Sequence, residues 1–99
     1  DVPTMPHYVS KTGSVKNAYI NQGCVIEGHV ESSVLFTNVK IGENAEISEA
    51  VLMPNVEVGE GAKVYRAIVA DGVKIDAGCV VGDPKSEEIA LISKRVRSE

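Results

Sequence analysis

By residue type, the side chains able to do acid–base, nucleophilic or metal chemistry are His7, His29, Cys24 and Cys79. A histidine held beside an acceptor hydroxyl or amine could serve as a general base, the part it plays in acyl transfer. A zinc site built on three histidines is out of reach, because the chain has two. No Cys-x-x-Cys pair accompanies them as a structural zinc site would require. His7 lies in a stretch without periodicity, and His29 has Glu27 for a near neighbour, so each reads as a surface histidine. The cysteines fall among apolar positions and read as small core residues, slow towards thiol reagents in the folded state. No catalytic residue and no metal ligand is expected within these 99 residues.

Charge and length narrow the classes further. Ten basic residues against 14 acidic ones give a formal charge of −4, which argues against a nucleic-acid partner, since phosphate-backbone binders carry basic patches. The longest aliphatic stretches, Ala67 to Ala70 and Cys79 to Val81, fall far short of the roughly 20 residues that cross a bilayer as a helix. With two cysteines and no basic-then-apolar leader, a reducing cytoplasm is the expected setting. The chain opens on Asp1 rather than Met, and residues 1–12 are aperiodic, as expected of a piece of a longer polypeptide. It is too short to hold a nucleotide-binding domain beside anything else.

Sixteen Val and eight Ile stand against three Leu, a balance that favours strands over helices. Aliphatics recur at Ile41, Ile47, Leu52, Val58, Val64, Val69, Ile75 and Val81 in steps of 6, 5, 6, 6, 5, 6 and 6, a 17-residue repeat. Stacked in rows of 17, the chain aligns Val39, Val56 and Val73; Ile41, Val58 and Ile75; Ala45, Ala62 and Cys79; and Leu35, Leu52 and Val69. Two further columns, Asn38, Asn55, Gly72 and Asn44, Gly61, Gly78, hold residues that tolerate a left-handed backbone and mark corners. Inward pairs two apart, such as Val39 with Ile41 and Ala45 with Ile47, predict three short strands per coil around one apolar interior. The row before fits only with a two-residue deletion, so that coil has 15 residues and one cut corner, near His29. The expected architecture is all-β: a parallel solenoid of triangular section with roughly four coils between Ala18 and Asp83. The expected divisions are an irregular lead-in over 1–17, coils over 18–83, and a tail over 84–99 with an extra strand.

The outward positions sort into faces. Lys40, Glu57, Lys74 on one side and His29, Glu46, Lys63, Val80 on the next read as solvent-facing ladders of alternating charge. The third side carries Tyr19, Val34, Val51 and Ile68 outward, flanked by Phe36 and Met53. An apolar stripe of that length predicts an interaction surface.

The units Ile41-Gly-Glu-Asn-Ala-Glu, Val58-Gly-Glu-Gly-Ala-Lys and Ile75-Asp-Ala-Gly-Cys-Val resemble the hexapeptide-repeat family, and that resemblance implies a left-handed β-helix, which periodicity alone leaves open. Beyond the repeat, Asn17-Ala-Tyr-Ile-Asn-Gln-Gly-Cys-Val-Ile-Glu-Gly, Ser33-Val-Leu-Phe, Ala50-Val-Leu-Met-Pro and Ala67-Ile-Val-Ala resemble the C-terminal β-helix domain of bacterial glucose-1-phosphate adenylyltransferases over nearly the whole chain. The resemblance implies a non-catalytic module of an enzyme that makes ADP-glucose from ATP and glucose 1-phosphate for glycogen synthesis. Nucleotidyl transfer and its Mg would belong to an absent upstream domain, with no cofactor in this segment.

The same resemblance implies docking on the chain's own upstream catalytic domain, assembly into a homo- or hetero-tetramer, and a share in a site for sugar-phosphate or nucleotide effectors. Lys94, Arg95 and Arg97 in the tail are the implied phosphate donors, although Asp71-Gly72 stands at a corner where some members carry a basic residue. Catalytic and regulatory subunits of that enzyme both remain open, as does the sugar. The rival reading is a trimeric hexapeptide acyltransferase with His29 as base.

Overall fold

A computed structural model describes residues 8–98 and shows strands and turns only. Chain order winds round five coils. The first holds β1 (Tyr8–Val9), β2 (Ser14–Lys16) and β3 (Tyr19–Ile20), and the second β4 (Val25–Ile26), β5 (His29–Glu31) and β6 (Val34–Leu35). The third and fourth hold β7 (Lys40–Ile41), β8 (Glu46–Ser48), β9 (Val51–Leu52), β10 (Glu57–Val58), β11 (Lys63–Tyr65) and β12 (Ala67–Val69). The fifth holds β13 (Lys74–Ile75), β14 (Val80–Gly82) and β15 (Ala90–Ile92). Every third strand stacks on its predecessor, giving three parallel five-stranded sheets: A (β1, β4, β7, β10, β13), B (β2, β5, β8, β11, β14) and C (β3, β6, β9, β12, β15).

The register is the one the columns predict. Ile41 pairs with Val58, Ile47 with Val64, and Leu52 with Val69. Side chains alternate along each strand and paired residues share a face, so both members of each of these pairs point inward; Val39, Ile41, Ala45, Ile47, Leu52, Val56, Val58, Val64 and Val69 are all buried. Burying each Val, Ile or Leu contributes about 1.5–3 kcal/mol, and among the described residues the buried apolar side chains form this one axial cluster. Cys24 is buried in it, its thiol donating to the Phe36 carbonyl at 3.0 Å. Burial pushes that thiol above its ordinary pKa. Cys79 is only half-buried, because among the described residues no further A–B corner stacks above it.

Two corners of each regular coil are four residues long and the third spans only one or two, which is the origin of the 6-5-6 steps. The four-residue corners turn on left-handed Asn38, Asn55 and Gly72, and on Asn44, Gly61 and Gly78, each with φ between 60 and 76°. That short corner also needs a left-handed residue, and there it falls on Asn17, Ser32, Glu49 and Arg66, with φ between 48 and 54°. The cut corner lies between β4 and β5, where Glu27-Gly28 replaces four residues. A Cβ on Gly28 would sit 2.5 Å from the Ala45 carbonyl oxygen and 2.6 Å from that of Gly42.

The stretch read as an irregular lead-in contributes strands: Tyr8 pairs with Val25 and Ser14 with His29, so the ladder starts before Ala18. At the other end the last B–C corner widens to residues 83–89, after which β15 returns to sheet C on β12. The chain then crosses to sheet A, where Val96 bridges Ile75.

Candidate functional site

The outer face of sheet C is built by residues that alternate with the inward row of half-buried Ile20 and buried Leu35, Leu52 and Val69. Parallel pairing sets Tyr19 beside Val34, Val34 beside Val51, and Val51 beside Ile68. The structure adds Leu91 beside Ile68. Tyr19 is 77%, Ile68 39% and Leu91 75% exposed, while Val34 and Val51 are half-covered by their neighbours. Four steps of strand spacing make this a row of about 19 Å. Phe36 and Met53 flank it two residues along. The opposite margin is polar, where Arg66 pairs with Glu49 at 3.2 Å across the tight corner. All six residues assigned to the stripe from sequence thus lie on one face. Leu91 was legible only as part of an apolar run, because the loop of residues 83–89 carries it out of the 17-residue register.

The second constellation is the tail. Lys94, Arg95 and Arg97 are all exposed, but the chain beneath them is ordered into the solenoid: Val96 N–H donates to the Lys74 carbonyl and Asp76 N–H to the Val96 carbonyl, each at 2.9 Å. Arg95 closes on Asp76, with Nε 3.0 Å and Nη2 2.9 Å from Oδ1. The Ser98 amide donates to Oδ2 of the same carboxylate at 3.2 Å. The hydrogen bond from Arg95, then that from Ser98, with the charges of Arg95 and Arg97 added, hold the Asp76 carboxyl below its ordinary pKa. Asp76 stands in the column of Gly42 and Gly59. A Cβ on either glycine would lie 2.7 or 2.5 Å from a backbone nitrogen of the next coil. Asp76 carries a side chain in that column, and the space it reaches into is filled by the tail.

His29 lies on the outer face of sheet B, its Nδ1 2.7 Å from Ser14 Oγ, beside Glu46, whose Oε1 accepts from the Tyr65 hydroxyl at 3.0 Å. These residues line an open groove of about 370 Å³. Among the described residues no group of three His, Cys, Asp or Glu could hold a metal ion. His7 lies outside the described residues. None of the described residues forms a helix long and apolar enough to cross a membrane.

A triangular stack of parallel coils with small and left-handed residues at its corners defines a hexapeptide-repeat, left-handed β-helix. Residues 4–95 match the family described as GlmU-like, C-terminal hexapeptide, and the chain belongs to that family. Among curated proteins it is similar to a glucose-1-phosphate adenylyltransferase of Fusobacterium nucleatum, 48% identical over 42 residues, covering 42% of this chain and 11% of that protein. The enzyme of the same name from Acetivibrio thermocellus is 50% identical over 46 residues, 46% of this chain and 11% of the other. The glycogen biosynthesis protein GlgD of Geobacillus stearothermophilus is 52% identical over 42 residues, 42% of this chain and 12% of the other. The matched segment therefore covers only about a ninth of the length of these relatives. Among solved structures, the acetyltransferase domain of PglB from Neisseria gonorrhoeae, in complex with acetyl coenzyme A, aligns with a TM-score of 0.37 and 24% identity, over 82% of this chain and 53% of that one.

Proposed function

We propose that this chain is the non-catalytic assembly and regulatory module of a glucose-1-phosphate adenylyltransferase, a cytoplasmic enzyme making ADP-glucose from ATP and glucose 1-phosphate for glycogen synthesis. The observation that carries the reading is the 48–52% identity to two adenylyltransferases and a GlgD protein. His29, the base that the acyltransferase reading needs, is hydrogen-bonded to Ser14 in an open groove on the outer face of sheet B. The relatives weigh against the trimeric acyltransferase alternative. In this reading, sheet C docks the upstream catalytic domain or a neighbouring subunit through Tyr19, Val34, Phe36, Val51, Met53 and Ile68. Lys94, Arg95 and Arg97 take the phosphate of a sugar-phosphate or nucleotide effector, and Mg acts only in the catalytic domain.

The stripe is tested in the full-length protein by Val51→Glu and Ile68→Glu, both at outward positions that leave the core intact. The expected outcome is a lower solution mass or a detached catalytic domain at unchanged thermal stability. Native mass and domain contact both unaffected would sink the interface.

A further inference from the structure

Asp76 stands where the two preceding coils carry Gly42 and Gly59, and its carboxylate turns towards the tail, where it engages Arg95 through two nitrogens and the Ser98 amide. That set of donors, a guanidinium edge plus a backbone N–H, is what an oxyanion takes from a protein. The group occupying it belongs to the chain itself. We infer that Asp76 is a resident competitor for the anion site of the tail: a phosphate group binds Arg95 by displacing the Asp76 carboxylate. This rests on the reading of Lys94, Arg95 and Arg97 as phosphate donors and adds how that site is regulated.

The geometry gives the exchange a structural consequence. Asp76 anchors the tail at two places, through its side chain to Arg95 and Ser98 and through its amide to the Val96 carbonyl. Displacing the carboxylate frees the first set and leaves the tail held by the Val96 backbone bridge alone, so the tail around Arg95 to Ser98 loosens. Lys74, whose side chain points outward from β13, pairs instead with Glu57 at 3.9 Å and leaves Asp76 to the tail. An exposed ion pair is weak, so the competitor raises the anion concentration needed and does not close the site.

The test titrates the 99-residue chain, wild type and Asp76→Asn, with inorganic phosphate and with a sugar bisphosphate, following the Arg95 Nε–H and Ser98 amide signals by NMR. Loss of the competing charge should tighten binding roughly three- to tenfold. In wild type, both signals should shift together along one binding curve, because one displacement releases both. Equal affinity of wild type and Asp76→Asn, with binding still lost in Arg95→Gln, overturns the competitor and leaves the phosphate site standing. No saturable shift in either protein overturns both. The wild-type titration needs no mutant to fold, and the Asn side chain keeps an acceptor for Ser98.

Discussion

Asp76 is the residue whose environment sets a pH response. Its folded pKa is depressed, chiefly by the Arg95 hydrogen bond, below the roughly 3.9 of an unperturbed aspartate. A lowered carboxylate pKa contributes stability that is present above the unfolded value and lost as pH falls through the folded one. The contribution belongs to the tail, so hydrogen exchange at the Val96 amide should accelerate below about pH 4, relative to the mid-solenoid Lys40 amide. In Asp76→Asn the ratio should be flat with pH. Val96 and Lys40 amides losing protection in step would show that the carboxylate does not govern the tail. The sequence could not reveal this pair: Asp76 matched the repeat pattern as a tolerated variant of glycine, and its partner lies 19 residues on, past the end of the periodicity.

The corners decide what each element tolerates. Gly28→Ala places a methyl against two carbonyl oxygens of the next coil at the cut corner and should cost about 1–3 kcal/mol, read as a lower denaturation midpoint at unchanged m-value. Gly61 has φ 71°, yet a Cβ added there would meet nothing within 4 Å, and Asn44 already occupies the same place one coil earlier. Gly61→Asn should therefore stay within about 0.5 kcal/mol of wild type, while Gly61→Val meets the full left-handed penalty of roughly 1–2 kcal/mol. Equal losses for Asn and Val would mean that the corner is not limited by backbone conformation. These two corner columns were legible because Asn and Gly announce them. The third was not, since Ser32, Glu49 and Arg66 carry no turn signature and its existence showed only as the five-residue step. The first two strands escaped notice for a related reason: Tyr8–Val9 and Ser14–Lys16 are exposed and offer too few apolar positions to establish a period.

At the scale of the whole molecule, fold and function were unequally legible. Buried columns repeat because each coil meets the same neighbours, so periodicity exposes architecture directly. The sheet C stripe could be read because its outward members share the repeat, up to Ile68. Leu91 and the tail could not be placed, since the loop of residues 83–89 resets the count and a shortened corner brings Val96 to Ile75. The proposed division of labour between this module and an upstream catalytic domain rests on resemblance, which a geometry of exposed ladders does not by itself supply.

Because each coil touches only the coils above and below it, the prism is also a ruler with a fixed graduation. Duplicating residues 40–56 should insert one whole turn, keep every face in phase, and move the basic tail about 4.8 Å further from the first coil. A distance measured between labels on Tyr8 and Arg97 should lengthen by that step with no loss of thermal stability. Inserting about half a coil instead should rotate the apolar stripe away from its side and unfold the coils beyond it. If the duplicated chain melted earlier than the parent, the coils would be bound by more than their nearest neighbours. Evolution can therefore set the separation of the two ends of this module only in whole graduations, and any partner that grips both ends is matched to an integer.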